Sequence, residues 1–191
     1  MATDLKLNGG IEATGYSGGP VAGTTFTGTT FTGTTFTGTT FTGTTFEGTT
    51  FEGAKIKTTA EGGIAVKMTN KTGAASVKGS IVSLSTGTDN AFALAAIGAS
   101  GVVGVVYEAG IDDAAECWVV VKGIAETLFT NNITHGMYAR APITADTDKV
   151  AGRAVGAAIP ANTFNTDAYL ARFGFVMESK DAGALAKVLL D

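Results

Sequence analysis

The stretch GTTFTGTTFTGTTFTGTTFTGTTFEGTTFEG, residues 23–53, repeats a five-residue unit that carries one phenylalanine and one glycine in each copy. An apolar residue continues at the same spacing on both sides of this stretch. We therefore predict an N-terminal tail at residues 1–10 and a repeat segment at residues 11–57. The predicted core positions of the repeat are Ile11, Tyr16, Val21, Phe26, Phe31, Phe36, Phe41, Phe46, Phe51 and Ile56.

The period of five excludes several regular structures. Five residues turn an α-helix by about 500°, which would scatter the phenylalanines around its surface. In a straight strand successive phenylalanines would face opposite sides, and collagen repeats in threes with proline. A chain that turns a corner once per unit, with glycine at the corner, brings every phenylalanine to the same side. The spacing predicts a short β-solenoid, with a flexible Gly/Thr linker as the alternative.

The units resemble those of pentapeptide-repeat proteins over roughly residues 11–56. In that family, right-handed square coils place a small residue and then Phe or Leu inside, and here Thr24 and Phe26 would fill those roles. Thr25 stands where the family has Asp or Asn. The resemblance implies four units in each coil, so that residues about twenty apart would stack on one another.

The second half of the chain has a different pattern. From about Gly62 short β-branched segments alternate with Gly, Asn, Asp and Thr turns. This change predicts a boundary at residues 57–62 and a domain at residues 62–191. The best helix signal, at residues 181–185, is too short and too rich in glycine to propagate. We predict an all-β chain whose second half is a small antiparallel β-barrel or sandwich. The candidate strands are residues 64–68, 79–85, 91–97, 102–107, 117–122, 124–129, 137–140, 168–177 and 186–190.

This half carries, in order, the segments VKGSIVSLS, GVVGVVYEAG, AAECWVVVKGIAETLF, THGMYARAP and RFGFVMESKDAGALAKVLLD. Their order resembles that of the capsid decoration (cement) and head-fibre proteins of tailed bacteriophages. The resemblance implies a small barrel whose core comes from the GVV, VVVKG and final VLL strands. It also implies a non-enzymatic virion protein, made in the host cytoplasm, that binds the major capsid protein on the capsid exterior as a homotrimer.

The sequence offers few residues that could converge on a catalytic or metal site. His135, the single histidine, is flanked by Thr and Gly, which predicts a solvated turn residue. Cys117, the single cysteine, precedes Trp118 in an apolar run, which predicts a buried structural thiol. The net charge of -4 without clustered cations gives no electrostatic case for nucleic acid, and the apolar stretches are too short for a membrane span. We predict no catalytic residue, no cofactor and no metal.

One loop concentrates carboxylates that could in principle bind calcium. Their spacing does not match an EF-hand loop, so we interpret them as a solvated acidic turn. Glycines 98, 101 and 104 lack the strand, turn and helix context of a phosphate loop and are assigned to turns. The four carboxylates of the loop are Glu108, Asp112, Asp113 and Glu116.

Two other functions compete with capsid decoration. In a receptor-binding or adhesive phage fibre, the repeat would be a stalk, the barrel would be the recognising head, and residues 160–167 could form a contact tip. Ice binding would use rows of threonine on a solenoid face. We do not favour it, because residues stacking twenty apart would give rows of only two or three threonines.

Overall fold

Strands make up the regular structure in the part of the chain that the computed structural model describes, which is residues 55–158 and 171–191 together with the backbone of four short strands between residues 25 and 47. No α-helix occurs in these residues. The all-β class predicted from the sequence is confirmed. The chain divides into two units, Met1–Thr49 and Thr50–Asp191.

The strands of the first unit pair in parallel at a fixed spacing. The register places Phe26 opposite Phe41 and Phe31 opposite Phe46, so the spacing is 41 − 26 = 46 − 31 = 15 residues, or three five-residue units. The expected four-unit coil, with stacking twenty residues apart, is therefore wrong at these strands. In the sequence, a shift by any multiple of five residues aligns phenylalanine with phenylalanine, so the period alone could not distinguish three units from four. These strands are β1 (Thr25–Thr27), β2 (Thr30–Thr32), β3 (Thr40–Thr42) and β4 (Thr45–Glu47), with pairs β1–β3 and β2–β4.

The second unit is a ten-stranded sheet that contains every strand predicted for it. Two predicted strands, at residues 117–122 and 124–129, are one continuous strand, and two short strands were not predicted, at residues 56–58 and 155–157. The strands are β5 (Ile56–Thr58), β6 (Gly63–Asn70), β7 (Ile81–Leu84), β8 (Ala91–Leu94), β9 (Val102–Val106), β10 (Glu116–Leu128), β11 (Tyr138–Arg140), β12 (Val155–Ala157), β13 (Arg172–Val176) and β14 (Leu185–Leu190).

Strand β10 belongs to two rings of strands. Its first half pairs with both β6 and β9, and the order β10-β9-β7-β8-β6 closes a five-stranded barrel. Within this ring β6 and β8 are parallel, which departs from the expected antiparallel arrangement. The second half of β10 continues through β14, β13 and β11 to β12. A bridge between Phe129 and Ala154, at the ends of β10 and β12, closes this second ring.

Both faces of β10 are covered by hydrophobic core. Cys117 and Val119 point into the barrel, where every strand of the first ring contributes to one cluster. Trp118 and Val120 belong to a larger cluster that extends through the second ring. An uninterrupted run of apolar residues is typical of a strand that is buried on both faces. The barrel cluster consists of Met68, Val82, Phe92, Val106, Cys117 and Val119.

The transition between the rings needs a local irregularity in β10. A register shift between Val120 and Lys122 precedes Gly123, which has a φ of 79°. A Cβ at Gly123 would lie 2.6 Å from the carbonyl oxygen of Gly62, so both the backbone angle and the space require glycine. From the sequence, Gly123 was predicted to separate two strands, but β10 continues through it as one strand.

Ile56, the last predicted core position of the repeat, lies among the described residues. It belongs to the second unit, Thr50–Asp191. Ile56, a predicted core position of the repeat, lies in β5, which pairs antiparallel with β6. The side chain of Ile56 is 59% exposed, because the pairing of β5 with β6 determines the face of the sheet on which this side chain lies. Ile11, Tyr16, Val21, Phe36 and Phe51 lie outside the described residues.

A close approach of strands β9 and β10 depends on Gly104. A Cβ at this position would overlap the carbonyl oxygen of Val120 and crowd Val119. We expect Gly104→Ala to lower the free energy of unfolding by about 1–3 kcal/mol, as overpacked cores do. Gly101→Ala is the matched control, because a Cβ there meets nothing within 4 Å. Urea denaturation of both variants would measure the difference, and equal losses would contradict the packing described for Gly104.

Candidate functional site

Three lysines and two aromatic rings form an alternating array on the outer face of the first ring. The Nζ atom of Lys57 lies 4.6 Å from the ring centroid of Trp118 and 4.7 Å from that of Tyr107. Lys67 lies 5.0 Å from the Trp118 ring, and Lys78 lies 5.6 Å from the Tyr107 ring. These distances are within the range of cation–π attraction. We call these five residues the lysine–aromatic cluster.

Carboxylates complete the charge balance of the cluster. Lys57 pairs with Glu108 at 3.5 Å, and Lys78 pairs with Glu126 at 2.6 Å. The hydrogen bond from Lys78 to Glu126 raises the pKa of that lysine. Lys57 lies on β5, whereas Trp118 lies on β10 and Tyr107 directly follows β9. The cluster therefore holds the short edge strand β5 against the barrel. Its geometry is that of a structural clamp.

The carboxylates of the acidic loop predicted from the sequence interact with different partners. Glu116 pairs with Lys55 and with Lys67, and the hydrogen bond from Lys55 lowers the pKa of Glu116. Asp113 accepts a hydrogen bond of 2.9 Å from the backbone N–H of Gly73. Residues 55–158 and 171–191 contain no group of three His, Cys, Asp or Glu side chains that could hold a metal ion.

The residues with nucleophilic or acid–base potential lie apart from one another. Cys117 is buried inside the barrel, and burial raises the pKa of its thiol. His135 is exposed in a turn, where its backbone N–H donates to the Ser179 hydroxyl at 3.2 Å.

The predicted contact tip at residues 160–167 lies outside the described residues. No helix in the described part of the chain is long and apolar enough to cross a membrane.

A buried ion pair fixes the loop that follows β11. The guanidinium of Arg140 donates to both carboxylate oxygens of Asp146, at 2.7 and 2.6 Å, and to the Ala141 carbonyl at 3.0 Å. The Asp146 carboxylate also accepts from the backbone N–H of Ile143 at 2.8 Å. The hydrogen bond from Arg140 is the main cause of the lowered pKa of Asp146. Such bidentate geometry gives a strong, oriented contact.

A row of apolar side chains crosses the outer face of the second ring. The register places Tyr138 opposite Phe175, Phe175 opposite Leu189, and Leu189 opposite Ile124. These residues lie on four neighbouring strands, β11, β13, β14 and β10, and all are at least partly exposed. We call them the apolar stripe. In the final VLL segment, which the resemblance assigns to the core, Val188 and Leu190 are buried but Leu189 is 46% exposed.

Two comparisons with known proteins give a match. Residues 22–60 match the family model for pentapeptide repeats, which describes nine copies, so the resemblance predicted for this segment is confirmed there. A search of curated proteins gives no match. Among solved structures, the chain is similar to the head fiber gp8.5 N base of bacteriophage phi29. The sequence identity is 16%, the match covers 66% of this chain and 92% of that chain, and the TM-score is 0.43.

The lysine–aromatic cluster is tested by removing one charge while keeping an apolar side chain. We expect Lys57→Met to lower the free energy of unfolding by about 1–2 kcal/mol, because it removes cation–π contacts to two rings at a largely buried site. Lys71→Met is the matched control and should change stability by less than about 0.5 kcal/mol. Urea denaturation followed by the fluorescence of Trp118, the single tryptophan, measures both. Equal effects of the two substitutions would refute the clamp.

The ion pair of Arg140 and Asp146 predicts a defined pH dependence. The pKa of Asp146 is lower in the folded than in the unfolded chain, so its contribution is complete above the usual value of 3.8 and is lost as the pH falls through the folded value. We expect Asp146→Asn to cost about 3–5 kcal/mol at neutral pH, since Arg140 would stay buried without its counter-ion.

The difference between the wild-type chain and this variant should begin to shrink below about pH 4, where the aspartate becomes protonated in the unfolded chain, and should disappear once the pH has fallen through the lower pKa of the folded chain. Asp148→Asn, at an exposed position of the same loop, is the control. Denaturation curves from pH 7 to pH 2 make the comparison. A difference that stays constant across this range would contradict the assigned role of Asp146.

Proposed function

We propose that this chain is a non-enzymatic structural protein of a tailed-phage virion that binds the assembled capsid and stabilises or decorates it. The observation that carries the proposal is the joining, in one chain, of a pentapeptide-repeat segment to an all-β unit that carries, in order, the five sequence segments that resemble decoration and head-fibre proteins. Each of the five quoted segments contains at least one strand of the second unit: β7, β9, β10, β11, and the pair β13 and β14.

The proposed partner is the major capsid protein on the capsid exterior. A protein that binds only the assembled lattice stabilises that lattice by mass action, in proportion to its concentration and affinity. We propose a homotrimer, because three modest contacts on one platform act together and increase the overall affinity. This mechanism requires a rigid binding unit and no catalytic reaction.

The second unit is the better candidate for the capsid-binding part. It has a continuous core on both faces of β10, and charged clusters fix β5 and the loop after β11. A rigid scaffold loses little conformational entropy on binding, so more of its contact energy appears as affinity. The repeat would then be an appendage that projects from the shell or lies along it.

Co-sedimentation with empty capsids tests this proposal. We expect the full chain, and a shortened chain that begins at Thr50, to sediment with capsids built from the major capsid protein of the phage that encodes the chain. Binding should saturate, and should be lost with unassembled capsid protein. Circular dichroism of the shortened chain would first establish that it folds.

The outcome separates the alternatives. Binding by the full chain alone would assign capsid binding to the repeat instead of the second unit. If neither chain sediments with capsids but the full chain binds intact host cells, the decoration proposal fails and the adhesive-fibre function takes its place. The same preparation can be checked for thermal hysteresis, which would reveal ice binding.

A further inference from the structure

The two rings of the second unit have the same strand connectivity. In chain order, the five strands are β6, β7, β8, β9 and the first half of β10 in the first ring, and the second half of β10, β11, β12, β13 and β14 in the second. In each ring the first strand pairs antiparallel with the fifth, the second with the third and the fourth, and the fourth with the fifth. The first and third strands meet in parallel, at Asn70 and Phe92 in one ring and at Phe129 and Ala154 in the other. The order of strands around both rings is therefore identical.

The residue registers of the two rings also agree. In both rings the register between the second and fourth strands shifts directly beyond a glycine of the fourth strand. Each side chain of the apolar stripe has an equivalent in the first ring, and the equivalents are opposed to one another in the same succession. Because a slip of one residue would turn every side chain to the other face, equal registers mean that equivalent residues face the same way. The equivalents of Tyr138, Phe175, Leu189 and Ile124 are, in that order, Ile81, Val105, Val120 and Ala65.

The turn between the first and second strands is bonded in the same way in each ring. In the first ring the N–H of Gly79 donates to the carbonyl of Val106 at 2.9 Å. In the second ring the N–H of Gly136 donates to the carbonyl of Val176 at 2.8 Å. Both glycines have a φ of 84°. The same two residue types thus tie the same turn to the end of the fourth strand.

Unusual backbone angles occur at equivalent positions. In the turn between the fourth and fifth strands, the residue with positive φ is Ala114 in the first ring, at 65°, and Gly183 in the second, at 80°. A hydrogen bond of 3.2 Å closes each of these turns, from the N–H of the next residue to the carbonyl two residues earlier. Before the third strand, the corresponding residues are Asn90, at 52°, and Gly152, at 76°. Asn90 and Ala114 are the non-glycine residues with positive φ in the described part of the chain, and each is matched by a glycine in the second ring.

The closest approach of the fourth and fifth strands depends on a glycine in both rings. These glycines are Gly104 and Gly174, each in the middle of its strand. A Cβ at either position would overlap a backbone carbonyl oxygen of the fifth strand and crowd a valine side chain there. The contacted residues are Val119 and Val120 for Gly104, and Val188 and Leu189 for Gly174.

We propose that the second unit is a tandem repeat of one five-strand module, in which β10 is both the fifth strand of the first module and the first strand of the second. Equivalent residues lie between 136 − 79 = 57 and 174 − 104 = 70 positions apart. Shared connectivity alone is common among small barrels, but register, turn bonding and positive φ are separate features, and all three agree here. This inference does not rest on the proposed function.

The repeat accounts for the apolar stripe. Its four equivalents in the first ring are at most 2% exposed and belong to the larger core cluster, which contains residues of both rings. The module therefore carries an apolar row on this face, which is core in the first ring and exposed in the second. Leu189, for example, is 46% exposed, whereas Val120 at the equivalent position is 2% exposed.

Reciprocal substitutions in the full chain test the equivalence of the two modules. Ala114→Gly gives the first module the residue of the second, and Gly183→Ala makes the opposite exchange. Because alanine at positive φ is strained by more than glycine loses in entropy, we expect Ala114→Gly to raise the ratio of folded to unfolded chain by about two- to fivefold. Gly183→Ala should lower this ratio by a similar factor. Urea denaturation followed by Trp118 fluorescence measures both.

The paired glycines of the fourth strands provide a second test. Gly174→Ala should lower the ratio of folded to unfolded chain as much as Gly104→Ala does, at least about fivefold. Gly101→Ala, where a Cβ meets nothing within 4 Å, is the control and should change the ratio less than about twofold. The inference would be overturned if Gly174→Ala behaved like this control, or if Ala114→Gly and Gly183→Ala shifted stability in the same direction.

Discussion

The second unit depends on burial of both faces of strand β10. The run from Cys117 to Val120 supplies one cluster inside the first ring and another on its outer side. Fully burying side chains of this size contributes about 1.5–3 kcal/mol each, and here a single strand does so in two directions. Because one strand takes part in both rings, neither ring can lose β10 without exposing core of the other. The two rings should therefore unfold as one cooperative unit.

This arrangement determines what remains at the surface. The polar contacts fix peripheral segments, since the lysine–aromatic cluster holds β5 and the Arg140–Asp146 pair holds the loop after β11. The outer face of β11, β13 and β14 is left without a covering layer in the described residues, and the apolar stripe lies there. The charged contacts described above therefore support the fold itself, whereas the apolar stripe has no covering layer in the described residues.

Much of the second unit could be predicted from the sequence, because its short apolar segments are separated by glycine and polar turns. The strand at residues 102–107, for example, was placed to within one residue of β9. The prediction divided β10 into two strands at Gly123, because a glycine inside an apolar run is typical of a turn. The sequence does not show that Gly62 packs against this glycine. The resemblance assigned the final VLL strand to the core, and the exposure of Leu189 could not be predicted, because a short run of apolar residues does not reveal which of them face outward.

The repeat shows a different limit of sequence reasoning. A period of five residues predicts that like residues stack, but the number of units in a coil is set by the corner angles, which the composition does not encode. The parallel register of β1 with β3 gives three units, whereas the resemblance implied four. Ion pairs such as Arg140–Asp146 can be suspected from sequence separation, but their burial depends on the closed second ring.

A cryo-electron microscopy reconstruction of the virion of the phage that encodes this chain would test the proposed role most directly. We expect density for the two rings on the outer surface of the shell, in contact with the major capsid protein. Density for the chain at the tail, or purified particles that contain no copy of it, would contradict a role in capsid decoration.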